Sequence, residues 1–441
     1  MLLETAMNTA FRLLSIVLLA GGGELAAAER RSQLPVYRKP SLETGIMGGV
    51  ANPSKKQLLA MHKSQYILHA RDGVLARVPV EKTWLPGDPG DMSHQELMGR
   101  LVLADDGTVY VMGRSIVCKS TDGGKTWISY PHDGNRDRLA GKWGAYPDQV
   151  PLFIQVLRDG TLVGVGIPHA QRGEQYWTSP AIVWASDNGG HHWHKISQIE
   201  RPLRFAGVDY EWWYASYAMH RLPDDTLLWP VQLRNTVNTD PPYKKRLVIF
   251  RSADGGKTWQ GPFPFTDWCS EGGITRTASG RLLATVRYQR PLLSTDPPDL
   301  LTHLGTKKGQ AYKHVFLVES NDEGRTWNHF RCLMSIPGQC YGFPVGLADG
   351  RVVLVHTTPY GPGPRGSRAM ISHDEGRTWE DEAYYLTFSE PSGYNQSVVL
   401  KDGTILTLAS RHDFIAPWGT KTETAVAIRW KPRGRVGDRR K

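Results

Sequence analysis

An all-β, six-bladed propeller of four-stranded antiparallel blades is the fold this sequence predicts. Three observations carry that expectation. An octapeptide, Ser-x-Asp-x-Gly-x-x-Trp, recurs five times, and repeats of this kind mark closed or stacked architectures. A second tight turn, most often Asp-Gly, recurs six times between apolar runs. Gly (46) and Pro (29) make up about a sixth of the 441 residues, which suits many short strands joined by turns.

The octapeptides are Ser120 to Trp127, Ser186 to Trp193, Ser252 to Trp259, Ser320 to Trp327 and Ser372 to Trp379. Four carry Asp at the third place (Asp122, Asp254, Asp322, Asp374) and the second copy carries Asn188. Asp or Asn folds its side chain onto nearby backbone N–H groups, and Gly takes a positive φ that other residues resist. The Trp is then placed to pack between neighbouring sheets. Runs such as Leu247-Val248-Ile249-Phe250 and Val315-Phe316-Leu317-Val318 precede the copies and read as strands.

The upstream turns are Asp106-Gly107, Asp159-Gly160, Asp224-Asp225, Ser279-Gly280, Asp349-Gly350 and Asp402-Gly403. Each blade therefore reads as strand A, turn, strand B, loop, strand C, octapeptide, strand D. The sixth unit has A, B and a C strand at Ala425 to Trp430 but no octapeptide. Its outer strand is expected from the N-terminal region, at Gln65 to Val78, because closure removes free sheet edges.

Outside the propeller, residues 1–28 read as a signal peptide. Arg12 opens a basic region, Leu13 to Ala20 is a short apolar run, and Ala26-Ala27-Ala28 offers a cleavage site before Glu29. Export, as a secreted or periplasmic protein, is the expectation. The apolar run is too short to cross a bilayer, and no other segment is expected to span one. The propeller is assigned to 29–430. Residues 431–441 read as a basic, solvated tail. The last 13 residues carry +6 of the formal net charge of +10, so the body is only mildly basic and nucleic acid is not an expected partner. Of the four Cys, Cys332 and Cys340 flank a Pro337-Gly338 turn and are placed to pair; a reduced pair is equally open.

In such a fold the start of strand A and the end of strand B face one central pocket. The A starts offer Glu96, Gln149, Tyr214, Glu271, Tyr341 and Tyr394. The B ends offer Arg114, His169, Arg234, Arg287, His356, Arg411 and His412. Ionisable and phenolic groups at this density suit a polar ligand; the bland alternative is a solvated rim. Blade 4 runs from Glu271-Gly-Gly to Val286-Arg287, so a carboxylate and a guanidinium on adjacent strand ends can meet across the ladder.

The octapeptides, the Glu271 to Arg287 segment and Ser392-Gly-Tyr394-Asn together resemble the sialidase (neuraminidase) superfamily of Asp-box, or BNR-repeat, propellers, over nearly all of the mature chain. The resemblance implies that Tyr394 is a nucleophile activated by Glu271, since a neutral phenol escapes repulsion from a substrate carboxylate. It implies that Arg287 grips that carboxylate by paired hydrogen bonds. Arg411, Arg114, Arg234, His169 and His356 are carried as further substrate-binding candidates. Three features of the family are missing. No Arg-Ile-Pro opens blade 1, where Arg100 sits too close to its turn, and Gly338-Gln-Cys-Tyr341 opens blade 5 where an Arg is usual. Arg365, Arg368 and Arg411 are possible substitutes. The loop that would hold the acid/base Asp is nearly absent after Arg114. Asp88, Asp91, Glu96, Asp148, Asp240 and Asp296 remain as candidates for the acid.

The leading reading is an exo-acting glycoside hydrolase of sialidase type, removing terminal acidic sugars. A lyase or hydrolase of uronic-acid glycans, using His169, His356 or His412 with Tyr394, stands beside it, as does a non-catalytic glycan-binding propeller. The expected partner is a glycan bearing a carboxylate. A monomer without cofactor or metal is expected, since no phosphate-cradling Gly loop or Cys/His ligand spacing occurs.

Overall fold

A computed structural model describes residues 60–61, 63–71, 74–86, 100–113, 115–133, 151, 153–166, 180–201, 204–210, 212–214, 217–234, 245–290, 314–333, 340–358, 366–379, 382–387, 395–410 and 425–434; for 212–214, 340, 358 and 410 only the backbone is described.

Short apolar strands, bounded by Asp-Gly turns and the octapeptides, pair into six antiparallel blades. Blade 1 is Leu101–Leu103, Val109–Met112, Ile116–Ser120 and Ile128–Pro131. Blade 2 is Phe153–Val156, Leu162–Gly166, Ala181–Ser186 and His194–Ile199. In blade 3 the inner strand is split into Trp212–Tyr214 and His220–Arg221; both pieces pair with Leu227–Arg234, and Lys245–Ser252 and Gln260–Asp267 follow. Blade 4 is Cys269–Arg276, Leu282–Tyr288, His314–Ser320 and Asn328–Cys332. Blade 5 begins Cys340–Gly346, Val352–Thr358, Gly366–Ser372 and Glu382–Tyr385. Blade 6 is Asn395–Val399, Ile405–Ser410, Ala425–Trp430 and the N-terminal strand Glu81–Trp84.

The inner strands of successive blades lie side by side, and blade 6 returns to blade 1. Side chains stitch them where no ladder runs. Gln396 of blade 6 accepts the N–H groups of Arg100 and Leu101 and donates to the Leu101 carbonyl. Gln155 of blade 2 donates to Met219 O of blade 3, and Gly346 N of blade 5 donates to Thr275 Oγ1 of blade 4. The inner strands line a channel of about 250 Å³.

N-terminal closure of blade 6 is as expected, but the closing segment is not. Glu81–Trp84 pairs with Ala425–Trp430, and Arg429 Nε donates to Glu81 Oε2 at 2.8 Å. Tyr66–Arg71 and Val74–Pro79 instead extend blade 5 outward from Glu382–Tyr385. The reason lies in Tyr66–Arg71 itself: Ile67, Leu68 and Ala70 are buried on both faces, and its polar groups fit blade 5. His69 and Arg71 meet Glu382 at 2.8 and 3.2 Å, and Tyr384 donates to the same carboxylate at 2.6 Å.

The supposed tail also departs from the sequence reading at its start. Residues 431–434 dock on blade 5, where the Arg433 N–H donates to Tyr384 Oη and Arg351 donates to the Pro432 and Arg433 carbonyls. Cys332 ends the outer strand of blade 4 and Cys340 opens the inner strand of blade 5; the Cys340 side chain lies outside the described residues.

The octapeptides share one geometry. In each, the Ser hydroxyl donates to the Asp or Asn at the third place and accepts the N–H of the Gly that follows. In the four Asp copies the Thr before the Trp donates both N–H and hydroxyl to the carboxylate. Burial works against ionisation here, yet these bonds outweigh it. They hold the carboxyls below the ordinary 3.8, down to about 2 at Asp122 and Asp322.

The folded-state values lie below the unfolded value. This contribution is therefore complete above about pH 4 and is lost as pH falls towards 2. Replacing Asp122, Asp254, Asp322 and Asp374 together by Asn, which the second octapeptide already uses, should flatten the fall in melting temperature between pH 4 and 2. An unchanged acid limb would show that other carboxylates govern it.

Candidate functional site

The blade 4 inner strand carries its acid at an irregularity. Ser270 pairs with Arg287 and Gly272 with Val286, so Glu271 is the extra residue of a bulge. Gly272 makes the bulge possible, because a Cβ there would lie 1.8 Å from the Thr285 carbonyl oxygen. Tyr217 of blade 3 closes over this turn of chain, donating to the Gly273 carbonyl at 3.0 Å and to that of Thr285.

Glu271 Oε2 meets Arg287 Nη1 at 2.5 Å, with side chains 7% and 13% exposed. Ser270 joins them: its hydroxyl accepts Arg287 Nε at 3.0 Å and donates to Glu271 Oε2 at 3.3 Å. The Arg287 guanidinium lies 5.0 Å from the ring centroid of Tyr341, on blade 5. Tyr341 has φ +57°, a left-handed backbone that costs about 1–3 kcal/mol for a residue of this size. It adjoins a register shift at the start of its strand. Two neighbouring inner strands therefore both break regular pairing where they converge.

Blade 3 brings two further bases. Arg234 ends its second strand directly opposite Lys245, which opens the third. Both interact electrostatically with Glu271 and Arg287. Burial lowers the Lys245 amine to about 7; Arg287 and Arg234 push the same way, and Glu271 opposes them.

The site lies opposite the octapeptides. Glu271 opens its inner strand, and the Ser279-Gly280 turn follows that strand's far end. There Glu375, inside the blade 5 octapeptide, accepts the Ser279 N–H and hydroxyl.

Of the sequence candidates, Glu271, Arg287 and Arg234 come together, and Tyr341 joins them. His356 is 2% exposed, across the ladder from Arg368, and burial followed by the Arg368 charge lowers its imidazole to about 3. Its ring is therefore neutral at physiological pH. Arg100 is a buried structural residue, bonded to Met112 O. Arg368 is fully buried over the Tyr385 ring. Tyr394, Arg411, Arg114 and His169 lie outside the described residues, as do Arg365, His412, Asp88, Asp91, Glu96, Asp148, Asp240 and Asp296. The described strand of blade 6 begins at Asn395, the next residue after Tyr394.

Sequence reasoning missed Ser270 and Lys245. Searching only A starts and B ends passes over C starts, although Lys245 follows from counting across the ladder from Arg234. No group of three or more His, Cys, Asp or Glu residues suited to a metal occurs among the described residues.

The fold is shared with solved propellers. The chain is similar to the Hadza microbial sialidase Hz136 (17% identity, 84% of this chain and 74% of that one, TM-score 0.51). It is similar to an alpha-L-arabinanase of Penicillium chrysogenum complexed with arabinobiose (14%, 80% and 98%, TM-score 0.51). It is also similar to a leech intramolecular trans-sialidase (12%, 79% and 70%, TM-score 0.51). No protein-family model matches the chain, and no curated protein matches it.

Gly272→Ala should cost at least about 1–3 kcal/mol in chemical denaturation, since the clash is with backbone that cannot rotate away. Wild-type stability in this variant would mean that the bulge is not held as described.

Proposed function

We propose that this protein is an exported glycoside hydrolase that removes a terminal acidic sugar, with Glu271 activating Tyr394. The observation that carries the reading is the Glu271–Arg287 pair, desolvated at the bulge that opens the blade 4 inner strand. Solved propellers of the same fold include proteins described as sialidases and an arabinanase, which supports a carbohydrate ligand.

In this reading Glu271 takes the phenolic proton of Tyr394 as its oxygen attacks the anomeric carbon. The glycosidic oxygen leaves with a proton from an acid on a loop of the pocket face. Water then cleaves the tyrosyl–sugar bond with Glu271 and the acid in reversed roles. Arg287 holds Glu271 in place, aided by Ser270, and presents its remaining N–H groups to the substrate carboxylate.

The test is hydrolysis of aryl glycosides, with sialosides, uronides and arabinosides compared. Release from sialosides or uronides is expected; release from arabinosides alone would replace the acidic-sugar reading. An absorbing unsaturated product would replace hydrolysis by elimination.

Tyr394→Phe keeps the ring and removes the nucleophilic oxygen, so kcat should fall by orders of magnitude with folding intact. Glu271→Gln should fall comparably, because the two act as a unit. Near-normal turnover in either would sink the Tyr/Glu pair. Export makes a separate prediction: N-terminal sequencing of the protein recovered outside the cytoplasm should begin at Glu29. An uncleaved chain retained inside would overturn it.

A further inference from the structure

We propose that Lys245 is a specificity residue of this site, taking up a proton when a carboxylated sugar binds beside Glu271 and Arg287. The proposal rests on the glycan reading only for the choice of ligand.

Placement is the first support. Lys245 and Arg234 are directly opposite on one ladder, so their side chains share a face of blade 3. The same face carries Leu247 and Ile249, which pack into a common core with Cys269, Val286 and Tyr288 of blade 4. Lys245 therefore stands at the Glu271 end of the seam between blades 3 and 4. The Lys245 carbonyl accepts the Trp268 N–H at 2.9 Å, which ties it to the chain just before Glu271.

The charges around it are the second support. Among the described residues, the ionisable groups acting on Lys245 are Arg234 from its own blade and Arg287, Glu271 and Cys269 from blade 4. Arg246, the next residue, is turned to the other face and paired with Asp267 at 2.6 Å. Among these groups one carboxylate faces three bases, and that carboxylate is already bonded to Arg287.

Lys245 is 8% exposed, and a buried ammonium in such company is poorly compensated. Its amine at about 7 is accordingly near half-protonated at neutral pH. A second carboxylate entering the cluster favours the charged form and draws a proton from solvent; a neutral sugar does not. The effect has a definite sign. Affinity for the carboxylated sugar is full below about pH 7 and falls about tenfold per pH unit above it, until binding to the neutral amine takes over.

The test is titration calorimetry with D-glucuronate and N-acetylneuraminate, against D-glucose, in buffers of differing ionisation enthalpy. At pH 8 a bound carboxylated sugar should bring in about one proton. K245M, whose side chain suits burial, should bind it more weakly and without proton uptake. K245R should restore binding with a flat pH profile. Proton uptake unchanged in K245M, a flat wild-type profile from pH 6 to 9, or no binding of either carboxylated sugar would each overturn the proposal. Failure of the hydrolase reading looks different: proton-linked binding would persist while no glycoside is turned over.

Discussion

Each blade is seated on the one before it, and that seat is the contact from which the ring is built. A methyl added at Gly124, Gly190, Gly256, Gly324 or Gly376 of the octapeptides would come within 2.6–3.0 Å of the preceding blade: Leu406, Val117, Val163, Leu228 and Leu283 respectively. The octapeptide thus fixes the angle and distance between neighbouring sheets, while its Asp and Ser satisfy the turn internally. Blade 6 has no octapeptide to set on blade 5. Trp430 packs against Tyr384 with ring centroids 5.2 Å apart, and Pro432 and Arg433 bond to Arg351 and Tyr384 in its place. The last seat is therefore made by the chain's exit from the barrel.

A ring fixed at the octapeptide end leaves the other end free to vary. Inner strands converge there without needing ideal pairing, and both blades 4 and 5 spend that freedom on a bulge or a left-handed residue. The bulge moves Glu271 out of the alternation of its strand and brings its carboxylate to an arginine on the same sheet. Local irregularity and chemistry thus share a cause: the same break in the ladder that turns Glu271 toward Arg287 removes a regular partner for its backbone.

The fold was largely legible in the sequence because its signals are local. A Ser-x-Asp-x-Gly-x-x-Trp turn folds the same way wherever it occurs, and six Asp-Gly-type turns imply six hairpins. The closing segment was less legible. Glu81–Trp84 and Tyr66–Arg71 are both short, and what separates them is long-range: Glu81 meets Arg429, whereas His69 and Arg71 meet Glu382. The site was legible where spacing along one hairpin suffices, as for Glu271 and Arg287. It was not legible for Lys245, whose meaning comes from a neighbouring blade, nor for His356, whose apparent place at a strand end hid its burial against Arg368.

Charge decides what this end of the molecule can hold. A buried ion pair gains little in net stability, and removing one partner leaves an uncompensated charge. Glu271 and Arg287 thus hold each other, and Ser270 and the Tyr341 ring occupy more of the guanidinium. An arginine so committed is a poor sole receptor for a substrate carboxylate. Further positive charge lies across the seam on blade 3, in Arg234 and Lys245. A carboxylate bound here would therefore be shared between two blades, with Arg287 supplying directed hydrogen bonds and the blade 3 pair supplying charge. Such an arrangement differs from three guanidinium groups arrayed around one anion, because one of its three bases is an amine that burial lowers to about 7.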